Sequence, residues 1–455
     1  VPRMISIMMS YYSELYTFGE LKKTVPEIRY TSQKKNRYGE NRLRADGLLE
    51  YPCRTLASLF SPAIFYGEKL SSIRKIIKQK IQEEFARNSL IRTIPQQGRN
   101  NARLVLTLMK ILDGKLVENL TGLYVPSNAL DVMTDIAIAS PAVCAYRQSG
   151  NEEDAQMVAK AVVSVFNKPE SAAVIDLMYN KKNDDDYYES VLDYCAIGNL
   201  QAVLDEYLYM APEDKKLGQV VTDAIIGTSN LSIDTTDSLG KEEKKQLMRC
   251  HFAIPFIDKT VTDKSVTRTT NIRKAFNSPF RPFLLSTTSI GQEGLDFHWY
   301  ARKIVHWNLP SNPVDLEQRE GRINRFKCLA IRRNVVKLYA SETYHTWDEL
   351  FSMAYSNLKG MHSDIVPYWC LPVAELTEEQ RAKLEYIERI VPLYPLSRDR
   401  YKYERLIKVL ALYRMTLGQP RQEELLSLLR NMHLSDEQLK ELTIDLCPYN
   451  KIESL

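Results

Sequence analysis

Two arginines three residues apart, Arg322 and Arg325, stand in the string Gln318-Arg319-Glu320-Gly321-Arg322-Ile323-Asn324-Arg325. Transfer of a phosphoryl group to water builds negative charge on oxygen, and paired guanidinium groups set fixed forks of donors against it. On a helix starting after Gly321 both side chains project the same way, and the glycine lets the chain turn ahead of them. Upstream lies Ser286-Thr287-Thr288-Ser289-Ile290-Gly291-Gln292-Glu293-Gly294-Leu295-Asp296. Here two glycines precede a carboxylate, and the hydroxyls of Thr287 and Thr288 can donate to phosphate oxygens. Taken singly, each string has a plain reading: a solvated basic helix start, and an ordinary strand–turn–helix. Their pairing in one short stretch is what points to phosphate chemistry.

The surrounding elements must hold these residues together. Phe283-Leu284-Leu285 reads as a strand opening into a loop whose glycines permit close approach of a ligand. Lys303-Ile304-Val305-His306-Trp307-Asn308-Leu309 reads as a second, buried strand, and Val335-Val336-Lys337-Leu338-Tyr339 as a third. Strands alternating with short helices suit a parallel, doubly wound lobe.

Together the two strings resemble motifs V and VI of the superfamily 2 helicases, on the second of that family's two RecA-like lobes. The resemblance implies that Arg322 and Arg325 are arginine fingers reaching to ATP held by the first lobe. It places Gln318 near the phosphates and Asp296, with Gly294, at the ATP ribose. It sets Thr288, with Thr287 beside it, on the nucleic-acid backbone. ATP and Mg2+ would be bound mainly by the first lobe. Phe276-Asn277-Ser278-Pro279-Phe280, the run from His306 to Glu317, and Tyr413-Arg414 with Gly418–Leu425 are similar to a bacterial branch of Swi/Snf-like helicases. Members of that branch often sit among phage-defence or mobile-element functions. The resemblance is closest over about 250–370, weaker over about 385–430 and loose before 190.

A complete motor needs a glycine-rich loop ending G-K-[ST]. Gly114-Lys115 runs into Leu116 and Gly240-Lys241 into Glu242, and neither fits. Ala202-Val203-Leu204-Asp205-Glu206 looks like a Walker B strand, but Leu200, Val203, Leu204 and Tyr207 keep helical spacing. The chain starts at Val1 without an initiator Met, which reads as the C-terminal part of a larger polypeptide.

The 455 residues predict two to four domains. A net charge of +4 excludes a polycation, yet Lys and Arg cluster: eight against two Glu over Leu21–Arg44, and again over Ser71–Arg103. Each cluster suits phosphates or simply a solvated helix face. Tyrosines interleave the first cluster, as base-stacking residues or as loop-edge side chains. The seven cysteines form no C-x-x-C pair, which argues against a zinc ribbon and a disulfide framework. His306 reads as a core or cleft histidine rather than a metal ligand, and no metal site is expected. There is no apolar run of membrane-spanning length and no signal peptide, so a soluble, cytoplasmic chain is expected.

The region from about 70 to 210 reads as helical, with Leu104, Leu108, Ile111 and Leu112 on one face ending at Gly114. Ser127 is a cap for a helix running to Ile138, broken at Ser140-Pro141. Asn183–Asp186 and the 211–245 segment read as loops, His251–Phe256 as a strand and Arg268–Phe276 as a helix. Tyr403, Leu406, Leu410, Tyr413 and Leu417 repeat at helical spacing.

The expected fold is α/β, a RecA-like parallel-sheet lobe with large flanking α-helical domains. The expected divisions are a basic, Tyr-rich segment at 1–70, a mainly helical domain at 71–220, the lobe at 221–345 and a helical C-terminal domain at 346–455. The expected function is the C-terminal part of an ATP-dependent helicase or translocase acting on nucleic acid, DNA in the first instance. Its partner is the first RecA-like lobe, in the same polypeptide or on a separate subunit, and no membrane. The alternative is a non-catalytic nucleic-acid or partner-binding module that retains helicase motifs.

Overall fold

The computed structural model describes residues 47–62, 69–87, 92–93, 102–115, 124–125, 128–179, 187–211, 216–225, 229–233, 246–250, 273–280, 284–286, 296–340, 346–357, 365–372, 376–416 and 421–432, with isolated positions beyond. They form two compact units: residues to Leu285 with Ala340–Glu349, and Ser286–Tyr339 with Leu350–Leu455. This division falls inside the 221–345 stretch expected as one lobe. No single described helix is long and apolar enough to cross a membrane.

The first unit is helical, as the 70–210 periodicity predicts. Its helices are α1 (Arg54–Ser58), α2 (Leu70–Arg87), α3 (Ala102–Leu112), α4 (Ala129–Ala139), α5 (Pro141–Ser149), α6 (Glu152–Phe166), α7 (Pro169–Tyr179), α8 (Tyr187–Ile197), α9 (Leu200–Met210) and α10 (Leu217–Ile225). Residues 92–93 and 124–125 pair in parallel as the short strands β1 and β2. The inward face of α3 is Val105, Leu108, Met109 and Ile111; Leu104 and Leu112 lie at its margins. The helix ends at Gly114 as expected, with φ of 69°. There the Gly114 and Lys115 amides donate to the Ile111 and Lys110 carbonyls at 2.9 Å each. The break at Ser140-Pro141 bends α4 from α5 by 47°, with Pro141 in the first turn, where its missing N–H costs least. Asn128 occupies the position before α4; Ser127 and the acidic run at 183–186 lie outside the described residues.

Charged side chains tie these helices together. Arg74 of α2 meets Asp135 of α4 at 2.7 Å and Asp193 of α8 at 2.5 Å. Lys78 pairs with Asp131, and Lys80 donates to the Leu59 carbonyl at 3.0 Å. Part of the 71–103 cluster is therefore taken up in packing. Asp205, in the string that mimics Walker B, lies on α9 and pairs with Arg147 of α5. Asp113 accepts from the Arg54 and Thr55 amides at 3.1 and 3.0 Å, seating α3 against the start of α1.

The 211–245 segment is not a plain loop. Leu217, Val220, Val221 and Ala224 are buried at helical spacing along α10, and residues 229–233 (β3) pair antiparallel with 246–250 (β4). Gly218 disguises this helix because it reads as a breaker. Its amide donates to Asp154 Oδ1 at 2.8 Å, so α10 sits close on α6. His251–Phe256 lies outside the described residues, as does the start of the Arg268–Phe276 helix, of which 273–276 are helical.

The second unit carries the α/β character. Lys303–Val305 (β5) pairs in parallel with Glu388–Ile390 (β6). Around them lie α11 (Pro313–Glu320), α12 (Leu329–Tyr339), α14 (Glu378–Lys383), α15 (Asp399–Met415) and α16 (Gln422–Asn431); α13 (Trp347–Ser356) precedes α14 in the chain. Three expectations change. Val335–Tyr339 ends a helix rather than forming a strand, because Val335 joins the buried run begun by Leu329 and Ile331; the helical context overrides local β-propensity. Leu284 and Leu285 pair with no strand among the described residues, and Leu284 is 81% exposed; Phe283 lies outside the described residues. The 303–309 strand is short and one-sided, with Ile304 and His306 turned inward and Val305 and Trp307 exposed. Leu406 and Leu410 are buried on α15 as their spacing predicts; Leu417 lies outside the described residues.

Glu385 is a heavily charged junction of this unit. Its carboxylate meets Arg302 at 3.0 Å, Arg333 at 2.7 Å and Lys337 at 2.9 Å. Burial alone would raise its pKa, but hydrogen bonds from Arg333 and Lys337 hold it down at about 2. Asn334 completes the junction by exchanging two 2.7 Å hydrogen bonds with the Glu385 backbone, which fastens α12 to the approach to β6.

The packing of α10 generates a prediction. A Cβ on Gly218 would lie 2.5 Å from Asp154 Oδ1 and 3.1 Å from both the Asp154 carbonyl oxygen and the Met157 Cβ. Gly218→Ala gains up to about 1 kcal/mol of helix propensity, yet overpacking costs typically about 1–3 kcal/mol. Urea denaturation should show the variant less stable than the parent; a more stable variant would mean that α10 does not sit this close.

Candidate functional site

The Gln318–Arg325 string is built on the end of a helix, not on its start. Pro313 opens α11, and the Asn312 side chain caps it by accepting from the Val314 amide at 3.0 Å. The helix stops at Gly321, whose φ of −60° is open to any residue, so the expected role for glycine freedom does not apply. The Ile323 and Asn324 amides both donate to the Glu320 carbonyl at 3.0 Å, which winds the chain into a tight turn. Ile323 is buried, and on either side of this anchor stand the half-exposed Arg322 and Arg325. Gln318 is exposed on the last turn of α11.

The end of the upstream string is fastened to the same turn. The Phe297 amide donates to the Arg322 carbonyl at 2.9 Å, and the Leu329 amide to the His298 carbonyl at 3.0 Å. Arg325 Nε lies 3.3 Å from Asp296 Oδ1, with the two side chains 39% and 51% exposed. A pair this open to water contributes little to stability and is readily exchanged for another partner. Beneath it Arg332 is fully buried. Its guanidinium donates to the Lys327 carbonyl at 2.6 Å and to the Trp299 carbonyl, and lies 5.5 Å from the Tyr300 ring centroid. Backbone carbonyls thus satisfy a buried cation and clamp 297–300 to the start of α12. Burial pushes the His298 pKa down to about 4, helped by Arg332 and Arg325 against the opposing pull of Asp296. This ring is neutral at neutral pH. Thr287, Thr288 and Gly294 lie outside the described residues.

Glu320, which directly precedes Gly321 in the string, holds α11 in place. Its carboxylate is gripped by Arg389 through Nε at 2.5 Å and Nη2 at 2.7 Å, and it faces His306 Nε2 at 3.2 Å. Arg389 reaches on to the Tyr403 hydroxyl at 3.3 Å. Burial would raise the Glu320 pKa, but hydrogen bonds from His306 and Arg389 outweigh it and set the group at about 2. One residue earlier Arg319 donates to the Asn308 carbonyl at 2.9 Å, and Glu317 pairs with Arg414 of α15 at 2.5 Å. His306 is a core histidine, as its place in the sequence implies. Arg389 carries no sequence signal, because its partner lies 69 residues away. Among the described residues no cluster of His, Cys, Asp and Glu side chains could hold a metal ion.

The Glu320 junction has an acid signature. Its folded pKa is lowered from 4.5 to about 2, so its contribution is present above pH 4.5 and lost as the pH falls towards 2. Replacing it by Gln should cost roughly 1.5–3 kcal/mol at neutral pH. The same change should flatten the acid limb of a stability–pH curve followed by circular dichroism. An unchanged acid limb would mean that Glu320 is not held as described.

No curated protein and no solved structure matches the chain. One family model does, over a stretch that takes in Asp296, Gln318, Arg322 and Arg325: residues 228–327 match the helicase conserved C-terminal domain, and this part of the chain is a helicase-type C-terminal module.

Proposed function

We propose that this module is the second RecA-like lobe, over about 221–345, of an ATP-driven superfamily 2 motor acting on DNA. In this reading Arg322 and Arg325 are its arginine fingers. The observation that carries the reading is the meeting of two separate strings at one turn. The Phe297–Arg322 backbone bond and the Asp296–Arg325 ion pair bring a carboxylate and two guanidinium-bearing residues to one turn, inside the family match. Such a donor set fits a nucleotide approached from one side, with cations for phosphates and a carboxylate for ribose hydroxyls.

ATP, bound with Mg2+, supplies a γ-phosphoryl group whose transfer to water drives the motor. The chain's own residues then divide the work. Asp296 accepts from the ribose and in doing so releases Arg325, which is only loosely held in the half-exposed pair. Arg325 and Arg322 turn their donors towards the oxygens where charge develops, while Ile323 keeps the turn between them fixed. Thr287 and Thr288 are proposed to touch the nucleic-acid backbone, and the likeness to Swi/Snf-like helicases favours DNA. The phosphate loop and most metal ligands come from a first lobe, whose G-K-[ST] string these 455 residues do not contain.

Two outcomes follow. These residues alone should hydrolyse no ATP above background in a phosphate-release assay; robust turnover by a preparation free of contaminating ATPase would contradict the need for another lobe. In the complete motor, Arg322→Ala or Arg325→Ala should leave nucleotide binding largely intact. Nucleic-acid-stimulated turnover should fall on the order of 10³-fold. Turnover near the parent's in either variant would mean that its arginine is not a finger.

A further inference from the structure

One surface of the second unit lies apart from the Ser286–Asp296 and Gln318–Arg325 strings and is built unlike ordinary protein surface. Trp307, just past β5, is 67% exposed, and its ring meets the edge of Tyr394 at 5.6 Å between centroids. Tyr394 begins a turn, Tyr394-Pro395-Leu396-Ser397, closed by the Ser397 amide donating to the Tyr394 carbonyl at 3.2 Å. Leu396 occupies the third position with φ of 64°, where a left-handed backbone makes glycine the natural choice. Instead the position holds a leucine whose side chain is fully exposed. It gains nothing by packing and carries backbone strain, the combination expected where a side chain is kept for a ligand. Exposed Arg398 and Lys402 follow at once.

We propose that Trp307, Tyr394 and Leu396, flanked by Arg398 and Lys402, form a stacking platform for the bases of a single-stranded nucleic acid. Aromatic faces accept any base, and cations beside them meet the phosphates. An apolar side chain held out on a turn can wedge against a base, as in proteins that unstack nucleic acid. The choice of polymer rests on the helicase reading above, whereas the site uses no residue of the Ser286–Asp296 and Gln318–Arg325 strings.

The test is titration of the full chain with single-stranded oligothymidylate, followed by fluorescein anisotropy and by tryptophan emission. Binding should quench the emission. Trp307→Phe should abolish most of the quench while keeping most of the affinity, since phenylalanine still stacks. Trp307→Ala and Tyr394→Ala should each weaken binding roughly 5- to 150-fold. Arg398→Gln with Lys402→Gln should reduce the log–log salt slope by roughly 0.7 for each phosphate no longer neutralised. Leu396→Gly is the sharpest arm: it should hold or raise Tm while weakening the complex, which no purely structural role would produce.

If the chain binds the strand with affinity and quench unaffected by these changes, the platform is wrong and the helicase reading survives. No strand binding even at low salt would overturn the platform, while the helicase reading is decided by the arginine variants in the complete motor. Concentration-dependent self-association that disappears in Trp307→Ala would give the surface to a second copy of the chain and overturn the proposal.

Discussion

The grip of Arg389 on Glu320 is the constraint on which the second unit turns. A carboxylate in this position would resist ionisation by burial alone. A bidentate guanidinium and His306 keep it charged, and so commit three chain segments to one arrangement: the end of α11, the end of β5 and the strand β6. Because Glu320 lies directly ahead of the Gly321–Arg325 turn, fixing its carboxylate fixes the origin from which both arginines project. Glu317–Arg414 repeats the device toward α15, so the last long helix braces the same element. Removing one member of such a group leaves the others desolvated and unmatched, so a single substitution there is costly.

The charges in this chain divide by exposure into two uses. Those that position are well buried or shared among several partners, such as Arg332 among backbone carbonyls and Glu385 among three cations. Those of the proposed site are half-exposed, as in the 3.3 Å pair of Asp296 with Arg325. The contrast is physical. A group meant to change partners must not be bound so well that exchange is slow, whereas its support must not move at all.

How far the sequence disclosed this depended on the range of each interaction. Local periodicity revealed the helical character of 70–210, the end at Gly114, the break at Ser140-Pro141 and the helical nature of the Walker B mimic. Where a local signal conflicted with its surroundings, the surroundings won. Gly218 hid α10 because its value lies in close approach to Asp154, which no window of sequence contains. Val335–Tyr339 looked like a strand but packs as the end of a helix. The Asn312-Pro313 start and Gly321 stop were legible signs that the arginines follow a helix rather than begin one. The pairing of the two strings, which brings Asp296 to Arg325, could be read. Their supports could not, since Arg389, Glu385 and Arg414 act across long stretches of chain and obey no short pattern.

Whether Arg322 and Arg325 act on a transferring phosphoryl group is decided most directly by a structure of the complete motor, with its ATP-binding lobe, trapped with ADP, Mg2+ and aluminium fluoride. Both guanidinium groups should then lie within hydrogen-bond distance of the fluoride plane or the bridging oxygen, with the Asp296–Arg325 pair broken and the Glu320–Arg389 grip intact. Both arginines turned away from the nucleotide, with Arg325 still on Asp296, would contradict this role.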